Sequence, residues 1–102
     1  MQFILLGYDG KDDGAPGRRL AVREQHLALG DQLVAEGTLL FATAILDADE
    51  QMIGSMLVLE FPSRAELDTW LATEPYVTGD VWREIEIRPA KVSPSFARSA
   101  QR

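Results

Sequence analysis

The sequence contains no cysteine and only one histidine, His26. The lack of cysteine excludes disulfides, thiolate nucleophiles and cysteine-ligated zinc, and one histidine is too few for the remaining zinc sites. Basic residues are scarce, 10 against 16 acidic ones, and the net charge of −6 argues against nucleic acid as a partner. No segment approaches the ~20 apolar residues that span a bilayer, and no signal peptide is recognisable. We therefore predict a cytoplasmic protein with no metal, no nucleic acid and no membrane partner.

Common ligand-binding motifs are also absent. A calcium loop counted from Asp9 would have Lys11 at position 3 and Leu20 at position 12, where the ion needs oxygen donors. The acidic loop 47–51 fails in the same way, with Val58 at position 12. We interpret both loops as solvated turns. Phosphate-binding loops, dinucleotide glycine patterns and the G-x-S-x-G elbow do not occur, so we predict no cofactor and disfavour serine hydrolysis.

The composition is that of a globular protein, with 46% hydrophobic and 25% charged residues in a chain of 102. This length fits one domain, which we expect at residues 1–92. Residues 93–102 read SPSFARSAQR and are interpreted as a polar tail.

Hydrophobic periodicity and turn residues predict four strands and two helices. The capping box Ser63 to Glu66 begins the second helix, and Pro75 ends it after Glu74. The predicted elements are strand 2–8, helix 18–36, strand 38–46, strand 52–61, helix 63–74 and strand 81–92. This order is βαββαβ, which predicts a ferredoxin-like α+β sandwich, a four-stranded antiparallel sheet with two helices on one face.

The first and third strands are apolar on both faces, at residues 3–8 and 56–59. We expect both strands at the centre of the sheet, whereas the last strand alternates as a half-buried edge strand does. Two helices cover only one face, and a bare apolar face is larger than soluble monomers usually expose. We therefore predict a homodimer through the sheet faces.

His26 lies on the sheet-facing side of the first helix, in a series with Val22, Leu29 and Leu33. Arg19 and Arg23 precede it by seven and three residues, so the three side chains flank one edge of the helix and suit an anionic or enolate-forming ligand. Two other interpretations stay open: a buried core histidine, and solvated arginines that pair with nearby carboxylates.

Four stretches of the chain resemble the YCII-related family: RRLAVREQHL, AEGTLLFA, GSMLVLEFPSRAELDTWLATEPYVTGDVW and EIRPAKV. The resemblance implies a dimeric α/β barrel and an enzyme with a His–Asp pair in a cleft, and a few relatives act on small hydroxylated or chlorinated ring compounds. It assigns the family's catalytic histidine to His26 and the acidic partner to Glu74, with Ser55 and Tyr76 beside the substrate. The chain departs from the family pattern at Glu74, where aspartate is usual, and at Thr43-Ala44, where Gly-Pro is usual.

Two functions follow from these residues. In the first, His26 is a general base, Glu74 orients its ring, and Arg19 or Arg23 neutralises negative charge during isomerisation or elimination on a small cyclic substrate. In the second, the chain is a non-catalytic protein that binds small molecules on the same fold. The discriminating observation is whether His26 lines an open pocket within reach of Glu74 or is sealed in the core.

Overall fold

A computed structural model of the protein describes residues 1–96, so residues 97–102 of the predicted tail lie outside the described part. Its elements are β1 (Gln2–Asp9), α1 (Ala15–Ala35), β2 (Leu39–Leu46), β3 (Met52–Glu60), α2 (Arg64–Leu71), α3 (Pro75–Thr78) and β4 (Trp82–Ala90). The four strands form one antiparallel sheet in the order β2-β3-β1-β4. The predicted ferredoxin-like α+β fold is confirmed.

The two central strands are β1 and β3, as their two-sided apolar patterns predicted. Alternate side chains of both strands point toward the helices, and Phe3, Leu5, Leu57 and Leu59 are buried there. Leu33 of α1 and other helix residues complete this core. The core therefore occupies one face of the sheet and holds α1 against the strands that carry the site described below.

Among residues 1–96, no helix covers the opposite face of the sheet. Ile4 of β1 and Val58 of β3 are half-buried on this face, and Phe41 of β2 is exposed. Together with the segment after β4, which includes Phe96, they line an apolar depression of about 480 Å³. This face is the one that the sequence predicted to lie in a homodimer interface.

The third helix, α3, was not predicted. It begins with Pro75 directly after Glu74, whose carboxylate accepts a hydrogen bond from the backbone N–H of Tyr76 at 3.2 Å. Proline in the first turn costs no hydrogen bond and its φ is already helical. The second helix, α2, ends earlier than predicted, at Leu71, and the residues that we expected to end it begin a new helix instead.

The start of β4 departs from the predicted alternation, under which Trp82 would share a face with Glu84 and Glu86. A register shift opposite Tyr8 and Asp9 pairs Asp9 with Trp82 and Tyr8 with Glu84. The extra residue in β4 turns the indole toward the helices, where Trp82 is buried. From Glu84 onward, successive side chains of β4 point to alternate faces of the sheet, as predicted.

Candidate functional site

His26 and Glu74 are in direct contact. The Nδ1 atom of His26 hydrogen-bonds Oε1 of Glu74. Glu74 is 1% exposed, and its second contact, with the N–H of Tyr76, fixes the carboxylate at the start of α3. An ionised carboxylate only accepts hydrogen bonds, so a neutral imidazole in this contact carries its proton on Nδ1 and its lone pair on Nε2. Within residues 1–96, Nε2 has no hydrogen-bond partner.

Two aromatic side chains hold the imidazole ring in place. The Tyr76 ring is stacked on it, with centroids 3.8 Å apart and planes 5° from parallel. The Trp82 indole meets it edge-on, with a centroid separation of 5.9 Å. Burial raises the pKa of the Tyr76 phenol, so this side chain stays neutral at physiological pH.

Arg19 is 6% exposed and forms the inner end of the site. Its Nε donates to Oδ2 of Asp9 at 2.7 Å, and Nη2 donates to the carbonyl oxygen of Gly54 at 2.8 Å. The guanidinium also lies over the Tyr76 ring, with Cζ 4.8 Å from the centroid. Because Asp9 neutralises it within the fold, Arg19 is a fixed part of the site.

Ser55 accepts two hydrogen bonds. Nη2 of Arg19 donates to its Oγ at 3.0 Å, and Nε1 of Trp82 donates to the same atom at 3.3 Å. Ser55 is 4% exposed and lines the cavity beside His26.

Arg23 stands at the rim of the site. It is exposed on α1, one turn before His26, and no carboxylate of residues 1–96 pairs with it. Its charge is therefore accessible to a ligand, in contrast to the charge of Arg19.

A cavity of about 190 Å³ connects these groups. It lies between α1 and the β2–β3 side of the sheet, and His26, Ser55 and Tyr76 are in its wall. Thr43 and Ala44, where the sequence departs from the usual Gly-Pro, also lie in this wall. His26 thus lines an open pocket and is not sealed in the core.

The structure brings together the six residues that the sequence singled out. Five of them line this cavity, and Glu74 contacts the cavity-lining His26: the five are Arg19, Arg23, His26, Ser55 and Tyr76. The added methylene of Glu74, compared with aspartate, does not prevent that contact.

Sequence reasoning missed two residues of the site, Asp9 and Trp82. The interpretation of Asp9 as part of a solvated turn was wrong, since this residue is buried in an ion pair with Arg19. A carboxylate that directly follows a buried strand was the available signal. The bulge that buries Trp82 had no recognisable signal in the sequence.

Two negative findings concern the described part of the chain. No cluster of three or more histidine, cysteine, aspartate or glutamate side chains there could hold a metal ion. None of its helices combines the length and the apolar character needed to cross a membrane.

Sequence comparison relates the chain to named proteins. A family model described as "YCII-related domain" matches residues 1–91. An uncharacterized protein of Haemophilus influenzae is 36% identical over 80 residues, which cover 72% of this chain and 82% of that protein. Protein YciI of Escherichia coli is 30% identical over 97 residues, which cover 89% of this chain and 97% of that protein.

Structure comparison gives a similar fold in an enzyme. The 5-chloro-2-hydroxyhydroquinone dehydrochlorinase of Burkholderia phenoliruptrix, solved in complex with 2,5-dihydroxybenzoquinone, superposes with a TM-score of 0.80 at 21% identity. The match covers 93% of this chain and 98% of that one. An antibiotic biosynthesis monooxygenase superposes with a TM-score of 0.53 at 17% identity, over 91% of this chain and 98% of that one. At these identities the likeness establishes the fold.

Proposed function

The chain belongs to the YCII-related family, and from this premise we propose that it is an enzyme that transfers a proton on a small ring compound, leading to isomerisation or elimination. The observation that carries the proposal is the contact of His26 with Glu74 at an open cavity. The alternative, a protein that binds small molecules without turnover, is an outcome of the experiment below.

His26 acts as the general base in this proposal. Nε2 takes a proton from the substrate, and the buried carboxylate of Glu74 stabilises the imidazolium that forms. Stacking on Tyr76 and the contact with Trp82 keep the ring from turning, so that Nε2 stays available at the cavity. A positioned general base of this kind typically contributes a factor of ~10²–10⁴ in rate.

The substrate is small, planar and anionic, or becomes anionic during the reaction. Arg23 supplies the positive charge that attracts it, while Arg19, Ser55 and Tyr76 shape the inner wall. A cavity of ~150 Å³ engineered in another protein holds benzene, so about 190 Å³ accommodates one substituted ring. The dehydrochlorinase of similar fold acts on a chlorinated, hydroxylated ring, which supports this substrate class.

The proposal includes a homodimer formed through the open sheet faces. The apolar side chains on this face, among them Ile4, Val58 and the exposed Phe41, lie outside the core of the single chain. A standard interface buries ~800 Å² per partner, about the size of one face of a four-stranded sheet. The cavity beside His26 lies on the other side of the sheet and stays accessible in such a dimer.

The proposed function is tested with a panel of hydroxylated and chlorinated hydroquinones. Chloride release and solvent deuterium incorporation are measured for the parent protein and for His26→Asn, Glu74→Gln and Arg64→Met. We expect turnover by the parent to fall ~10²-fold or more in His26→Asn and to fall also in Glu74→Gln. Arg64 pairs with Asp68 on the surface and serves as the control.

Two results would contradict the proposal. Equal turnover in the parent and His26→Asn would show that His26 takes no part in the reaction. Saturable binding of these compounds with no turnover and no deuterium incorporation would favour the non-catalytic alternative.

A further inference from the structure

Toward a ligand, the hydroxyl group of Ser55 can act only as a hydrogen-bond donor. Its oxygen has two lone pairs, and these accept hydrogen bonds from Nη2 of Arg19 at 3.0 Å and Nε1 of Trp82 at 3.3 Å. The remaining position on the oxygen is the O–H bond, which has no acceptor among the described residues 1–96. A buried hydroxyl without an acceptor is costly unless a ligand or a water molecule completes it.

We infer that Ser55 selects the substrate by donating its hydroxyl proton to an acceptor oxygen, a carbonyl or a phenolate, on a ligand in the cavity. The inference rests on the proposed function and adds which atom of the substrate faces the β3 wall. A ligand that presents an N–H or a second O–H donor at this point meets a donor and is rejected, because Ser55 has no free lone pair.

The two donors to Ser55 are themselves held in place. Asp9 fixes the guanidinium of Arg19, and the carbonyl of Gly54 accepts a second hydrogen bond from the same Nη2 atom. The indole of Trp82 is buried and cannot turn away. Asp9, Arg19 and Trp82 are therefore positioning residues, and Ser55 is the group that touches the substrate.

These donors also strengthen the hydrogen bond that Ser55 makes. A hydroxyl that accepts from a guanidinium is polarised, so its own proton becomes a better donor. A donor fixed before the ligand arrives costs no reorganisation when negative charge develops on the acceptor oxygen. With His26 taking a proton and Ser55 holding an oxygen, the substrate class is an enolisable ring ketone, a phenol or a hydroxyquinone.

The experiment compares two matched probes, 4-fluorophenol and 4-fluoroaniline, titrated by ¹⁹F NMR. Both are neutral near pH 7 and of similar size, but the phenol oxygen accepts a hydrogen bond whereas the amino group mainly donates. We expect the parent protein to bind 4-fluorophenol about tenfold more tightly. Ser55→Ala should lose about tenfold in affinity for the phenol, with little change for the aniline.

Trp82→Phe provides a second variant. It keeps an aromatic ring but removes one donor, which frees a lone pair of Ser55, so the preference for phenol over aniline should narrow. A structural defect alone would weaken the binding of both probes and would leave the ratio of their dissociation constants unchanged.

His26→Asn separates this inference from the proposed function. If Ser55 selects acceptors, His26→Asn retains the phenol preference even where it abolishes proton transfer. If the ratio of the dissociation constants for 4-fluorophenol and 4-fluoroaniline is the same in the parent, Ser55→Ala and Trp82→Phe, the inference is overturned. The role of His26 is not affected by that result. Absence of saturable 4-fluorophenol binding to the parent protein would also overturn it.

Discussion

Replacing Arg19 by methionine should destabilise the protein strongly, because it leaves the carboxylate of Asp9 buried without its partner. The pair is inside the fold, with an Nε–Oδ2 distance of 2.7 Å and side chains that are 8% and 5% exposed. Removing one member of a buried ion pair typically costs ~3–5 kcal/mol. Arg19 also donates to Gly54 and Ser55, and those contacts are lost as well.

The measurement is thermal and urea unfolding of the parent and the Arg19→Met variant by circular dichroism. Since ~1 kcal/mol moves the Tm of a domain of this size by ~4–8 °C, we expect Tm to fall by more than ~12 °C. The control is Arg64→Met, whose partner Asp68 is exposed, where the loss should be only ~0.3–0.5 kcal/mol.

The double variant Asp9→Leu/Arg19→Met tests the cause of the loss. If an uncompensated buried charge is responsible, removing both charges should restore most of the stability. A loss in Arg19→Met no larger than that in Arg64→Met would refute the reasoning, because Arg19 would then not be a buried, partnered cation. A double variant as unstable as the single one would show that packing and not charge is decisive.

Three further predictions concern pH, packing and assembly. Burial raises the pKa of Tyr76, so the stability that its neutral phenol contributes is present below about pH 10 and is lost as the pH rises through the raised pKa. Urea unfolding of the parent and Tyr76→Phe between about pH 8 and pH 11 should show a smaller loss of unfolding free energy in the variant. Gly7→Ala should cost ~1–3 kcal/mol because its Cβ would lie 2.5 Å from a buried indole, whereas Gly17→Ala, in open space on α1, should stabilise by ~0.5–1 kcal/mol. Light scattering should give twice the 11.3 kDa chain mass, Val58→Glu should reduce it to one chain, and Leu20→Glu should not.

Each of these predictions has a contradicting outcome. Equal alkaline destabilisation of the parent and Tyr76→Phe would mean that the phenol plays no part. A neutral Gly7→Ala variant would mean that the indole moves aside without cost. A parent protein that elutes as a monomer would remove the sheet-face dimer.

The order of the strands could be predicted because it depends on a pattern that extends over whole segments. Residues 3–8 and 56–59 are apolar at every position or nearly so, and only strands covered on both faces tolerate this. The first helix was predicted to begin at residue 18, yet α1 begins at Ala15. Turns and prolines predict that a helix begins nearby, but its first residue depends on local hydrogen bonds, here from the N–H of Ala15 to Asp12.

The six predicted residues do meet at one cavity, but the contacts of Asp9 and Trp82 with them could not be predicted, because each depends on a single residue. One inserted residue in β4 turns Trp82 to the helix side, and periodicity cannot show where a strand gains a residue. Asp9 and Arg19 are ten residues apart on different elements, so no local pattern relates them. Helix α3 has four residues, too few to establish a period.

Glu74 has two structural roles, so changes at this position affect both the site and the backbone of α3. The same carboxylate holds His26 and accepts the N–H that begins α3. A relative without a histidine at position 26 would still lose a helix cap on changing this residue, and Ser, Thr, Asp and Asn are the side chains that replace such a cap. Relatives that lack this histidine should therefore keep a capping side chain here, and such a cap without the histidine is weak evidence for catalysis.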